Sequence, residues 1–262
     1  MPARPLILSL SGHDPSGGAG IQADIEAINA LGGTPATLVT CLTVQDTVNV
    51  QALIPIDAAL LERQARTLLE DYGVAAIKIG LIGTPEIAAV IGRILALAPT
   101  TPVILDPVLA AGGGTPMAGV ELIRSIRTEL LPRTLLITPN SPEARRLSGR
   151  ESLDEAAESL LALGARSVLI TGAHEAEERV TNRLFRPGHA PGTLNWPRLP
   201  GQYHGSGCTL ASACATLIGL GLDLEQAVEQ AQGYTWRALD QATRPGRGQA
   251  LPNRLHQNRG PQ

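Results

Sequence analysis

The sequence predicts an α/β fold in three layers, with a mostly parallel central sheet between two layers of helices. Three observations predict it. Short β-branched or leucine-rich runs alternate with stretches whose apolar residues recur at helical spacing. The strand-like runs are almost continuously apolar, as strands covered on both faces are. Residues with chemical capability follow the strands directly, at the edge where open parallel sheets bind ligands.

The first strand is Leu6–Leu10, which breaks at Ser11-Gly12. It is too short to span a membrane, and no small-residue cleavage site follows it. The next strands are Ala36–Val44, Ala75–Ile79, Val103–Leu105, Leu135–Thr138 and Val168–Thr171. A helix opening after the first glycine loop carries Ile21, Ile25, Ile28 and Leu31. Thr84-Pro85-Glu86 places a capping hydroxyl before a proline at the first helical position, and Ser141-Pro142-Glu143 reads the same way. Ser152 with Glu155, and Asp223 with Gln226, have capping-box spacing. Residues Ala173–Pro200 break the rhythm with Gly, Pro and mixed polarity, and predict β-hairpins. We expect residues 1–262 to form a single domain, with residues 257–262 as a mobile tail.

Composition excludes several classes. Hydrophobic residues are 44% and charged residues 17% of the 262 residues, which argues against disorder. A net charge of −3 and 2% aromatics leave neither a basic field nor stacking platforms for nucleic acid. Lys78 is the sole lysine, so any phosphate-binding lysine has one candidate. Cys41, Cys208 and Cys214 form no CxxC pair, and a small odd number of cysteines fits a reducing cytosol.

The sharpest local feature is His204-Gly205-Ser206-Gly207-Cys208-Thr209-Leu210 ahead of an apolar-periodic helix. Glycines let successive N–H groups face one concavity, and the helix start adds unpaired donors and a positive dipole end. Gly205, Ser206 and Gly207 thus predict an anion hole suited to a phosphoryl group in transfer. Cys208 at that helix start is expected to have a lowered thiol pKa and to act as a base. Read alone, a plain turn with a buried cysteine is the commoner outcome. It is not a Walker A loop, because no Gly-Lys-Ser/Thr follows.

A second glycine loop, Gly12 to Gly20, follows the first strand, and Asp24 lies one turn into its helix. Asp24 could face a ligand or be a solvated first-turn carboxylate. Asp106-Pro107 and Asn140-Ser141-Pro142-Glu143 close the fourth strand and open the helix after the fifth. Asp106 and Glu143 together could orient magnesium through water. The bland reading of Glu143 is first-turn dipole complementarity; that of Asp106 is a turn residue. For His13 and His204 both a substrate contact and a plain turn role are open.

The order of the motifs decides among these readings. GHDPSGGAGIQAD, TVQDT, KIG, DPV, TPNSPEA and HGSGCTL, from Leu6 to His256, resemble the hydroxymethylpyrimidine/phosphomethylpyrimidine kinases of thiamine biosynthesis. The resemblance implies a ribokinase-like α/β/α sandwich, ATP and Mg2+ as cofactors, a small aminopyrimidine alcohol as substrate, a cytoplasmic location and a homodimer. It carries Gln45, Gly12, Asp24 and Val108 to the substrate pocket. It carries Asp106 and Glu143 to magnesium, and Asn140, Glu143, Asp106 and Thr171 to the nucleotide. Gly205, Ser206, Gly207 and Cys208 become the anion hole and catalytic base. Sugar kinases of the superfamily usually have aspartate at Cys208. The family often has lysine at Gly112 and Thr171, and its C-terminal motif is altered here to Pro252-Asn253-Arg254. The implied reaction is phosphorylation of the pyrimidine alcohol and of its monophosphate. A vitamin B6 kinase and a non-catalytic pyrimidine binder are the rival readings.

Overall fold

A computed structural model describes residues 4–175 and 178–256. The tail expected at 257–262 lies outside the described residues. Nine strands join one sheet: β1 Leu6–His13, β2 Thr34–Gln45, β3 Val50–Pro55, β4 Val74–Ile79, β5 Val103–Leu105, β6 Leu136–Ile137, β7 Val168–Ile170, β8 Arg179–Phe185 and β9 Gly192–Pro197. Their order is β3-β2-β1-β4-β5-β6-β7-β8-β9. The pairs from β2 through β7 are parallel, and antiparallel pairs flank them at both edges. The hairpin expected from Ala173–Pro200 is β8–β9. The edge strand β3 was not among the expected strands. Its side chains are mostly exposed, so it has no buried run to read.

The helices are α1 Gly20–Ala30, α2 Ala58–Asp71, α3 Pro85–Leu97, α4 Val120–Ser125, α5 Ser141–Ser148, α6 Leu153–Ala162, α7 Ser206–Gly219 and α8 Leu224–Asp240. Helix α4 continues as a π turn over Ile126–Leu130. The sheet separates two cores. Leu8, Leu10, Ile77, Ile79 and Leu105 pack with α2 to α6, whereas Ile7, Ala76, Ile104 and Leu136 pack with α1, α7 and α8. This is the period-2 alternation of a strand buried on both faces. Ser9, Ser11 and Lys78 therefore fall on the α1/α7 side. β1 runs on to His13, past the expected Leu10, because these serines are interior. Among the described residues no helix is long and apolar enough to cross a membrane.

Caps fix the helix starts beside the sheet edge. Thr84 accepts from Ile87 N and Asp223 from Gln226 N, as expected. Ser141 is not a cap. Asn140 is, accepting from Glu143 N at 2.9 Å, while Glu143 Oε2 accepts from Asn140 N at 3.0 Å. The asparagine oxygen reaches the third N–H, so the helix begins one residue earlier than the proline pattern implied. Ser152 precedes α6 but makes no side-chain cap bond; spacing alone does not orient a hydroxyl.

Candidate active site

The carboxyl ends of β1, β2, β4, β5, β6 and β7 and the start of α7 surround one cleft of about 190 Å³. The sheet supplies the reason. β1 connects through α1 to β2 on one side, and β4 connects through α3 to β5 on the other, so the loops above β1 and β4 diverge. Gly12, Gln45, Asp106, Val108, Asn140, Glu143, Thr171 and Gly205 to Cys208 all lie on its wall. A second cavity of about 420 Å³ adjoins it between β8–β9 and α8, and shares Gly112, Ala173, His174 and Ser206.

The turn into α7 requires glycine. Gly205 is the N-cap at φ 77°, and a Cβ there would lie 2.0 Å from Gly18 O. Gly20 is constrained in the same way, at φ 60° with Gly12 O 2.2 Å from a Cβ. The two glycine loops thus meet backbone to backbone. Thr209 Oγ1 donates to Gly205 O at 2.8 Å and closes the first turn.

Cys208 is buried in that first turn. Its thiol is pushed up to about 12 by burial, against the opposing charge of Lys78 and a hydrogen bond from the Gly20 backbone. This corrects the expectation of a lowered pKa. Desolvation in a dry wall outweighs the field of the helix start.

Asp106 is buried, and its Oδ2 finds no hydrogen-bond partner among the described residues. Burial raises its pKa, against the lowering influence of Lys78 and Cys208. Glu143 is pushed up to about 8 by burial and then by the Asp106 charge. Its Oε1 accepts from Leu109 N at 3.3 Å. Two crowded carboxyl groups with an orphaned oxygen fit a hard cation that would relieve both. No cluster of three or more ligating side chains stands among the described residues, so such an ion would need other oxygens besides these.

Asp24 is the expected pocket residue that lies elsewhere. It is fully buried below the cleft floor, and its carboxylate is occupied by Ser9, Ser212 and Lys78. Lys78 is sealed in with it, so the sole lysine does not reach the cleft. Sequence reasoning could not see this, because both residues sit on strand and helix faces whose orientation only the packed layers define. Of the two positions at which the resemblance led us to expect lysine, Gly112 is covered by Gln249, whose Nε2 donates to Gly112 O at 3.1 Å. Thr171 pairs with Asn140 as an isolated bridge.

The wall also contains residues that the sequence did not single out: Thr43, Val50, Met117 and His174. Thr43 precedes Gln45 by one strand period, which was the available signal. His13 and His204 both line the cleft. His204 Nε2 lies 2.9 Å from Asp14 Oδ2 and ties the two glycine loops together. Burial would raise the Asp14 pKa, but the hydrogen bonds from His204 and Ser16 outweigh it and hold the carboxyl well below the usual range.

Comparison with known proteins agrees with this architecture. The chain is 35% identical over 241 residues to a hydroxymethylpyrimidine/phosphomethylpyrimidine kinase of Streptomyces coelicolor, covering 90% of this chain and 88% of the relative. It is 34% identical to the kinase of the same name from Escherichia coli, covering 90% and 91%. Among solved structures, an ADP complex of Bacillus subtilis pyridoxal kinase superimposes with TM-score 0.89 at 27% identity, covering 98% and 99%. A phosphomethylpyrimidine kinase from Clostridium difficile superimposes with TM-score 0.78 at 30% identity, covering 88% and 98%. The profile described as phosphomethylpyrimidine kinase matches residues 14–253. A match over that span, on a cleft whose walls come from the same ordered motifs, establishes that this chain belongs to the phosphomethylpyrimidine kinase family.

Proposed function

We propose that the protein transfers a phosphoryl group from ATP to 4-amino-5-hydroxymethyl-2-methylpyrimidine, and then to its monophosphate. The observation that carries the reading is the placement of Gln45, Cys208 and the Gly205–Gly207 turn on one small cleft. Gln45 offers one donor and one acceptor to an aminopyrimidine edge. Gly12 and Val108 supply a close backbone and an apolar wall. The hydroxymethyl oxygen then faces Cys208.

The nucleotide occupies the adjoining cavity, with its terminal phosphoryl toward Ser206 and the start of α7. Asn140 and Thr171 flank its path on the shared wall. Trp196 and Trp236 stack with ring centroids 6.3 Å apart and line the far end, where a nucleobase would lie. Asp106 and Glu143 would hold magnesium, in part through water, and the ion would offset charge on the phosphates.

The Cys208 sulfur takes the alcohol proton. It does so as the thiolate, and is left as the thiol that burial favours. The new O–P bond forms as the bond to the leaving ADP oxygen breaks, and backbone N–H groups of the turn face the charge on the moving group.

Vitamin B6 kinase activity is the second reading, favoured by the close backbone match to pyridoxal kinases. Backbone similarity is shared across both activities, whereas sequence identity is higher to the pyrimidine kinases. Steady-state kinetics with hydroxymethylpyrimidine, its monophosphate and pyridoxal side by side test the proposal. A kcat/KM for pyridoxal exceeding that for the pyrimidine would overturn it.

We read the whole chain as one kinase domain, supported by the continuous sheet. We also read it as a homodimer. Leu42, Val44 and Ile54 are 45%, 47% and 50% exposed, and Leu42 pairs directly with Ile54 across β2–β3. Such an apolar sheet face fits a second copy. Light scattering that reports a monomer at micromolar concentration would remove that element. A cytoplasmic location is supported by three free, buried cysteines.

A further inference from the structure

The last described segment runs across the outer ends of the cleft loops. His204 N donates to Ala250 O at 2.9 Å, and Gln249 N to Thr47 O at 2.8 Å. Tyr234 Oη donates to Arg254 O at 2.7 Å and fixes the end of the segment to α8. Arg254 is only 2% exposed. A guanidinium is retained in such a place only when its donors are satisfied.

Those donors reach both glycine loops. Nη2 donates to Gly18 O in the first loop. Nε donates to Thr209 Oγ1 at 2.8 Å, and that hydroxyl donates onward to Gly205 O at 2.8 Å. Nη1 pairs with Glu26 at 3.0 Å on the rim. Gly18 O is also the atom that a Cβ at Gly205 would strike. The guanidinium therefore sits where the two loops touch, while lining neither the 190 Å³ cleft nor the 420 Å³ cavity.

We propose that Arg254 is a positioning residue that joins the Gly12–Gly20 loop to the first turn of α7, and so sets the spacing between the substrate wall and the phosphoryl-holding turn. The inference rests on the kinase reading of the cleft. Arginine suits the task because its planar fork serves several acceptors in fixed directions, which lysine or methionine does not. A displacement of about 1 Å between reacting groups can cost on the order of 10²-fold in rate.

The test compares wild type with Arg254→Met, Arg254→Lys and Thr209→Val by steady-state kinetics and by amide hydrogen exchange. Thr209→Val keeps the guanidinium and its ion pair, so it remains informative if Arg254→Met does not fold. The expected result is a kcat lowered by about 10–100-fold with KM for pyrimidine and ATP within about threefold of wild type. Exchange should quicken at residues 17–20 and 205–209 while other helices stay protected. Folded variants with unchanged kcat and unchanged loop exchange would overturn the proposal. So would loss of protection spread evenly through the chain, which is the mark of a purely structural role. A wild type that fails to phosphorylate the pyrimidine sinks the kinase reading instead, and loop exchange then still decides whether the clamp exists.

Discussion

Lys78 Nζ lies 2.9 Å from both carboxylate oxygens of Asp24, and neither side chain reaches solvent. Asp24 also accepts from Ser9 Oγ at 2.6 Å and Ser212 Oγ at 2.7 Å. Burial alone would lower the lysine pKa, yet the Asp24 charge and, beyond it, Cys208 and Asp106 hold it above its ordinary value. The sole lysine is thus the positive centre under a floor of acidic groups.

Removing one partner strands the other. Lys78→Met should destabilise the fold by about 3–5 kcal/mol, and Lys78→Met with Asp24→Asn should recover much of that loss. Urea denaturation of the three proteins measures both. Equal losses in the single and double variants would show that the pair is not the cause.

Cys208→Ala should lower kcat by about 10²–10⁴-fold while leaving ADP binding intact. Single-turnover kinetics with calorimetric ADP titration separate the two. Normal turnover in the alanine variant would remove the sulfur from the proton path.

Gly205→Ala meets both a left-handed backbone and the Gly18 carbonyl. A loss of about 1–3 kcal/mol in stability is expected from the backbone conformation, and the forced separation of the loops should lower kcat as well. Thermal unfolding and turnover of the same preparation check it; an active variant of wild-type stability contradicts the geometry.

Burial, and then the Asp106 charge, push the Glu143 carboxyl up to about 8 from an ordinary 4.5. A raised carboxyl pKa means that the folded state binds the extra proton between those values. Its contribution to stability is therefore present at acid pH and declines as pH rises from about 4.5 to about 8. The slope is at most about 1.4 kcal/mol per pH unit. Glu143→Gln should flatten this part of the profile, as read from denaturation midpoints between these limits. Superimposable wild-type and variant profiles would contradict it.

The chain has two tryptophans, and both line the cavity assigned to the nucleotide. Intrinsic fluorescence should change on addition of ADP and stay constant with the pyrimidine alone. A signal that follows only the pyrimidine would move the nucleotide elsewhere.

Apolar strand runs, the two glycine-rich turns and the acids at strand ends are local patterns. They identified the parallel core of the sheet, the cleft edge and most of its wall, from Gly12 and Gln45 to Asp106, Glu143 and Cys208. The partner of each charged group was decided elsewhere. Asp24 and Lys78 are far apart in sequence and meet only because α1 packs on the β1–β4 face. The thiol at Cys208 carries a helix-start signature, but desolvation is a property of the assembled layers and reverses the predicted shift. Arg254 marks only an altered C-terminal motif in the sequence until the fold brings Gly18 and Thr209 to its guanidinium. Local periodicity and turn chemistry are written in neighbouring residues; burial and long-range pairing exist only once the layers close.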